Sequence, residues 1–175
     1  MTHPAQVVNQ IAIALRNGPF KVARNVTLSD GRRAAVAASR TYFSWKGIVL
    51  LSQHIVVRHI DQASLPDMKV LFDAGFEYAK KMNWVPLPRG LQFGFMVIPV
   101  LVGESPASDL VESVSKSPQK HFSLFEFPVV VDLATNQAHY FKGLSAWGAF
   151  FFSDLRKVAE TYIQGSLYRQ KNPGK

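Results

Sequence analysis

One stretch of the chain is apolar on both faces that a β-strand would present. Residues Leu91–Gly103 contain no Lys, Arg, Asp or Glu. Such a strand is typical of the centre of a layered sheet, where other elements cover both of its sides. Pro99 lacks the amide hydrogen that a regular ladder uses, so we expect an edge or a bulge at this position.

The start of the chain predicts a helix followed by a hairpin. Apolar residues recur at helical spacing over Pro4–Asn17, which predicts a short amphipathic helix. Polar and apolar residues then alternate over Phe20–Leu28, as in a half-buried strand. Asp30 and Gly31 follow and predict a tight turn, because glycine tolerates positive φ.

The return stretch Arg32–Trp45 has two interpretations. Its alanines favour a helix, whereas its Thr, Tyr, Phe and Trp residues favour a strand. The preceding turn favours the strand. A further strand, rich in Ile, Val and Leu, is predicted over Gly47–Ile60.

The rest of the chain predicts helices around the central strand and one more hairpin. The predicted helices are Pro66–Asn83, Ser105–Ser115 and Trp147–Tyr168, and the predicted hairpin strands are Phe125–Val131 and Ala138–Lys142. The element order is therefore α-β-β-β-α-β-α-β-β-α. We predict an α+β fold, with a mainly antiparallel sheet of about five to six strands packed with three to four helices. Residues 1–168 form a single domain in this prediction, and residues 169–175 form a disordered tail.

Composition excludes several classes of protein. Of the 175 residues, 47% are hydrophobic and 18% are charged, which is typical of a globular chain and not of a disordered one. The chain contains no cysteine, which excludes disulfide scaffolds, Cys-ligated zinc and thiol catalysis. No charge-free stretch reaches the roughly 20 residues of a membrane-spanning helix, and the first residues lack a signal-peptide pattern. These features predict a cytoplasmic protein without a membrane partner.

Basic residues are concentrated in the first third of the chain. Residues 1–60 contain eight Lys or Arg residues and one acidic residue, within a formal net charge of +8 for the whole chain. One hypothesis is a surface that binds nucleic acid or another polyanion, on which aromatic side chains stack. The alternative is a solvated basic surface without a ligand. The candidate ligand-binding residues are Arg24, Arg32, Arg40, Tyr42, Trp45 and His54.

Two polar residues suggest specific pairs. Alternation places Arg24 on the apolar side of its strand, where an unpaired charge is costly, so we expect an ion pair with Asp30 or Glu126 or else an open cleft. His139 is predicted to lie opposite Asp132, either as an acid–base pair or as an ordinary cross-strand pair. An enzyme would need such scattered groups to converge in one cleft.

The opening α-β-β-β-α-β order is similar to the core of restriction-endonuclease-like nucleases. That resemblance implies a divalent metal, held by an acidic residue and a following Glu-x-Lys-type strand. The predicted strand Gly47–Ile60 contains neither a carboxylate nor a lysine. We therefore predict no metal and no cofactor. The leading hypothesis is a non-enzymatic binding module, and an enzyme is the alternative.

An aromatic cluster begins the last predicted helix. Residues Trp147–Phe152 include a tryptophan and three phenylalanines, more than one helix face accommodates. Either the helix is deeply buried, or the cluster forms a homodimer interface.

Overall fold

The computed structural model describes residues 3–45, 48–82, 93–116, 124–143 and 149–171. The elements in these ranges are α1 (Pro4–Asn17), β1 (Lys21–Thr27), β2 (Arg33–Ser44), β3 (Val49–His59), α2 (Leu65–Met82), β4 (Phe93–Gly103), α3 (Ser108–Ser115), β5 (Leu124–Glu126), β6 (Val129–Asp132), β7 (Gln137–His139), α4 (Ala149–Val158), a π-helical segment (Ala159–Gln164) and α5 (Gly165–Lys171). The last three follow one another directly, and we call them together the C-terminal helix. None of the described helices has the length and apolar character needed to cross a membrane.

The described strands form one mixed sheet, which corrects the prediction of a mainly antiparallel one. The strand order is β1-β2-β3-β4-β6-β7, with β5 also paired to β4. Strands β1, β2 and β3 are antiparallel neighbours, and so are β6 and β7. Strand β4 runs parallel to β3, β5 and β6. The reason is that α2 and α3 lie between successive strands and return the chain to the starting end of the sheet, as parallel pairing requires.

The sheet has seven described strands instead of five to six, because the predicted strand Phe125–Val131 is divided into β5 and β6. Strand β4 remains regular at Pro99, although an edge or a bulge was expected there. The Val97 carbonyl accepts a hydrogen bond from the Phe127 nitrogen at 3.0 Å, so the Pro99 nitrogen, two residues on, faces the same neighbouring strand. That neighbour is interrupted between β5 and β6. The missing N–H of proline therefore falls where the ladder is already broken.

Helices cover both faces of the sheet, as the apolar sequence of β4 predicts. We call the side packed against α1 and the C-terminal helix the α1 face; its core includes Ile55, Ile98 and Val129. We call the side packed against α2 and α3 the α2 face; its core includes Val56 and Leu101. Neighbouring residues of one strand thus contribute to opposite cores, as the two-residue period of a strand requires.

The predicted turn at Asp30-Gly31 is confirmed. Gly31 has a φ of 74°, a conformation that favours glycine. The Leu28 nitrogen donates to the Arg32 carbonyl at 2.9 Å, and an Asp30 carboxylate oxygen accepts from the Arg32 nitrogen at 3.0 Å. The ambiguous stretch that follows is a strand, so the turn predicted its structure better than its alanine content did.

The C-terminal helix extends beyond its predicted end. Helix α5 runs to Lys171, and residues 172–175 lie outside the described ranges, so the disordered tail from residue 169 stays a prediction. The π-helical segment ends at Gln164, whose side-chain oxygen accepts a hydrogen bond from the Ala138 nitrogen at 2.7 Å. The helix thereby satisfies a backbone donor of β7, which is an edge strand.

One member of the aromatic cluster, Phe152, lies in the core of the α1 face, and Phe151 packs against that core. Phe152 is 5% exposed, and its ring contacts Phe125, Phe127 and Phe141 at centroid distances of 6.1–6.3 Å. Phe151 packs against Phe125 at 5.1 Å. The described part of the cluster therefore follows the core interpretation. Trp147 and the Phe150 side chain lie outside the described residues, so a dimer through them stays a prediction.

Candidate functional site

The six predicted ligand-binding residues do not share one pocket. Arg24 and Arg32 are exposed around the β1–β2 hairpin, and Trp45 is exposed beyond the end of β2. Arg40 and Tyr42 are half-buried neighbours on β2, and His54 is buried in β3. The structure thus brings Arg40 and Tyr42 together, while the other candidates lie apart.

Arg40 lies at the centre of a polar cluster on the α1 face. Its Nε donates to the Gln53 side-chain oxygen at 2.7 Å, and the two residues face each other across β2 and β3. Its guanidinium carbon lies 4.8 Å from the Phe20 ring centroid and 4.5 Å from that of Tyr42. Contacts of this kind hold the cation against aromatic faces. Arg40 is therefore fixed in place on the sheet and is only partly open to solvent.

The Gln53 side-chain nitrogen of this cluster is buried, and no described residue accepts a hydrogen bond from it. The Tyr42 hydroxyl is buried beside the Arg40 side chain. Burial raises the pKa of Tyr42, an effect that the Arg40 cation opposes and the Asp154 carboxylate reinforces. The phenol is therefore neutral at physiological pH. Sequence inspection missed Gln53, although it stands between the buried apolar residues Leu51 and Ile55, which marks it as a buried polar group.

The structure gives Arg24 a different partner from the predicted Asp30 or Glu126. Its terminal nitrogen donates to the Asn9 side chain of α1 at 2.7 Å, and the residue is exposed. Asp30 pairs instead with Arg58 of β3, at 3.1 Å and 3.2 Å for the two nitrogen–oxygen contacts. Arg58 is buried and would be costly to leave unpaired, whereas Arg24 lies on an edge strand and reaches solvent.

This exchange leaves exposed cations along the outer hairpin. Strands β1–β4 contain no Asp or Glu, and the one acidic residue of the first 60, Asp30, is engaged with Arg58. Lys21, Arg24, Arg32 and Arg33 are all exposed on β1, on β2 or in the turn between them. We call these four residues the basic edge. Apart from Asp30, neither β1, β2 nor the turn between them contains a carboxylate, so the charges of these four residues add along this edge of the sheet.

None of the described helices covers the part of the sheet next to the basic edge. On β2, Ala37 belongs to the α2-face core, and the residues at two-residue intervals after it become progressively more open: Ser39 is half-buried and Thr41 is exposed. Phe43 follows on the same side and is 45% exposed. Lys21 faces Ser39 from β1 and therefore shares this side. We call Lys21, Ser39, Thr41 and Phe43 the open strip.

An exposed aromatic pair lies at the end of the open strip. The rings of Phe43 and Trp45 meet edge to face, with centroids 4.8 Å apart and an interplanar angle of 80°. Trp45 is 83% exposed, and Ile48, the first residue of the next described range, is 74% exposed. Sequence inspection singled out Trp45 but missed Phe43. The two-residue spacing between them is the signal that would have placed both on one side of the strand.

His54 and Glu126 are titratable groups on the α2 face. The His54 Nε2 lies 2.8 Å from the Ser52 hydroxyl, and its ring stacks on Phe95 at a centroid distance of 4.9 Å. Burial lowers the pKa of His54 to about 4, so the imidazole is neutral at pH 7. Burial, reinforced by the nearby Asp73 carboxylate, raises the pKa of Glu126 to about 7. His54 and Glu126 occupy matching positions on either side of β4, each paired in register with Val97.

Of the scattered groups that an enzyme would use, His54 and Glu126 lie on the α2 face on either side of β4, whereas Arg24 bonds to Asn9 of α1 on the opposite face. His139 pairs in register with Val130, and Asp132 pairs with Gln137, so the predicted His139–Asp132 pair is wrong. The hairpin register differs because Asp132 itself organises the turn by accepting hydrogen bonds from the backbone of Ala134 and Thr135. Within the described ranges, no three His, Asp or Glu side chains lie close enough together to hold a metal ion.

The chain shows little similarity to known proteins. No family model matches the chain, and no curated protein matches it. Among solved structures, the chain is similar to a repair endonuclease from Pyrococcus abyssi, with 15% identity and a TM-score of 0.38. The match covers 72% of this chain and 46% of the endonuclease, so the chain spans less than half of that protein. A likeness at this level assigns neither a family nor a function.

Proposed function

We propose that the protein is a non-enzymatic nucleic-acid-binding module whose contact surface is the basic edge. The observation that carries this proposal is the set of exposed cations on β1, on β2 and in the turn between them, two strands that contain no carboxylate. The one acidic residue in the first 60 is held by Arg58 and does not neutralise them. The surface therefore attracts anions.

The side chains of the basic edge suit phosphate groups. Lysine presents a mobile point charge, and arginine presents several N–H donors in one plane. Arg24 keeps free donors besides the one bonded to Asn9, and that bond orients its guanidinium at the edge of the sheet. Contacts of this kind bind the sugar–phosphate backbone without reading sequence. We therefore expect binding with little sequence preference.

Fluorescence anisotropy with a labelled oligonucleotide tests the proposal. Binding at micromolar protein in about 50 mM salt is expected, with an affinity that falls steeply as salt rises, because bound counterions are released. The triple variant Lys21→Ser, Arg24→Ser, Arg33→Ser should weaken binding at least tenfold and flatten the salt dependence. Absence of binding by the unmodified protein in these conditions would overturn the proposal.

A charge-matched control separates the position of the charges from their sum. Lys69, Lys142 and Lys157 are exposed and lie outside the basic edge, on α2, after β7 and on α4. Replacing these three by serine lowers the net charge by the same amount as the first triple variant. If the control weakens binding as much as the basic-edge variant does, the interaction is general electrostatic attraction and the protein has no defined nucleic-acid surface.

A further inference from the structure

We infer that the nucleic acid bound at the basic edge is single-stranded, and that its unpaired bases stack on Phe43 and Trp45. This inference rests on the proposed function, because the cations supply the attraction for the strand. The aromatic pair adds something that phosphate binding does not need. It presents rings with exposures of 45% and 83% next to a positively charged edge.

The position of the pair relative to Lys21 favours one extended strand as the occupant. Lys21 and Phe43 lie on the same side of the sheet, separated along β2 by the small polar side chains of Ser39 and Thr41. From Ser39 to Phe43 the strand rises roughly 13 Å, at about 3.3 Å per residue. A nucleic-acid strand can therefore place phosphates at Lys21 while bases a few nucleotides away reach the aromatic pair. The small side chains between them leave the path open.

The geometry of the two rings leaves a stacking surface accessible. They meet at 80°, so the edge of one ring points at the face of the other. A parallel stack would hide a face of both rings, whereas the high exposure of Trp45 leaves its indole largely in solvent. Aromatic faces of this kind bind any base through stacking, which is how sequence-tolerant single-strand binders use them. In a duplex the faces of the bases are already stacked on each other and are not available.

A protein partner or a second copy of the chain would also bury exposed aromatic rings. The charge around them favours the nucleic acid: no carboxylate occurs on β1 or β2, while Lys21 lies on the same strip and Arg24 and Arg33 are exposed on these strands. A second copy would bring a second set of the same cations to the interface, and like charges oppose that contact. Self-association is therefore an outcome that the experiment must distinguish.

The test compares an unstructured oligothymidylate of about 15 nucleotides with a duplex of equal length, a size within the range of single-strand binding sites. The unmodified protein should bind the single strand at least tenfold more tightly. Trp45→Ala should remove most of that difference and leave duplex binding unchanged, while Trp45→Phe, which keeps a ring, should retain part of it. Tyr168→Ala is the matched control, because Tyr168 is 61% exposed on α5, away from the strip.

Each outcome bears on a different statement. Equal affinity for the two oligonucleotides, or an equal loss on both for Trp45→Ala, overturns the single-strand inference and leaves the proposed function intact. Binding to neither oligonucleotide overturns the proposed function itself. Light scattering of both proteins at tens of micromolar completes the test. A dimer that becomes a monomer on Trp45→Ala would show that a second copy covers the aromatic pair, and would also overturn the inference.

Discussion

Arg58, buried in β3, forms two hydrogen bonds to the carboxylate of Asp30 in the β1–β2 turn, at 3.1 Å and 3.2 Å. The Arg58 Nε also donates to the Arg33 carbonyl at 3.3 Å. The pair connects the outer hairpin to the centre of the sheet. The negative charge of Asp30 is therefore balanced by Arg58 and does not offset the cations of the basic edge.

Asp30→Ala should destabilise the protein strongly, because it leaves the Arg58 guanidinium buried without its carboxylate. We expect a loss of about 3 kcal/mol in the free energy of unfolding, measured by urea denaturation at pH 7. Asp61→Ala is the control, since Asp61 pairs with His59 but its side chain is 76% exposed. That variant should change stability by less than about 1 kcal/mol. Equal effects would contradict a structural role for the Arg58–Asp30 pair.

Glu126→Gln should stabilise the protein at pH 8 but not at pH 4. The pKa of Glu126 is raised to about 7 by burial and by Asp73, so the folded state holds a proton that the unfolded state releases at lower pH. The contribution of Glu126 to the free energy of unfolding is therefore fully present below the pKa that this residue has in the unfolded chain. It falls as pH rises from about 4.5 to 7, by roughly 3 kcal/mol in all. Urea titrations at both pH values measure the gain of the variant. The exposed Glu104→Gln should show no such pH-dependent gain.

Acid should destabilise the protein through His54. Burial lowers the pKa of His54 from 6.5 to about 4. As pH falls, the unfolded chain therefore binds a proton at this residue near pH 6.5, whereas the folded chain does so only near pH 4. The contribution of His54 to the free energy of unfolding is fully present above the pKa that it has in the unfolded chain. It falls as pH drops toward 4, by about 2 kcal/mol at pH 5. His54→Asn should remove this part of the acid sensitivity. The comparison is clearest in the Glu126→Gln background, since Glu126 has the opposite effect over an overlapping pH range.

Phe152→Ala should lower stability through a cavity in the α1-face core. The ring contacts three other phenylalanine rings, and its removal should cost about 3–5 kcal/mol. The melting temperature should fall by the same amount at every protein concentration, because a core cavity does not depend on association. A loss that grows on dilution would show instead that Phe152 contributes to a dimer. The half-exposed Phe43→Ala should change the melting temperature much less.

The local sequence pattern was sufficient to predict secondary structure wherever the stabilising contacts are close in sequence. The periodicity of Pro4–Asn17 predicted α1 at the bounds it has, and the Asp30-Gly31 turn correctly predicted that the alanine-rich stretch after it is a strand. The apolar character of β4 predicted helices on both faces. Strand direction was predicted less well, because parallel pairing of β3 and β4 depends on how α2 packs and not on the residues of either strand.

The candidate site depended more heavily on the tertiary structure. The sequence by itself determined that the first third is basic, that Asp30 is its one acidic residue, and that Gly47–Ile60 contains no carboxylate. Only the fold decided that Asp30 pairs with Arg58 and leaves Arg24 exposed, and that His54 is buried on the α2 face. Only the fold decided that Phe43 is exposed to solvent, because the α2-face core includes Ala37 of β2 but not the far end of that strand. The physical reason is that charge and hydrophobicity belong to each residue, whereas burial and pairing are set by neighbours distant in the chain.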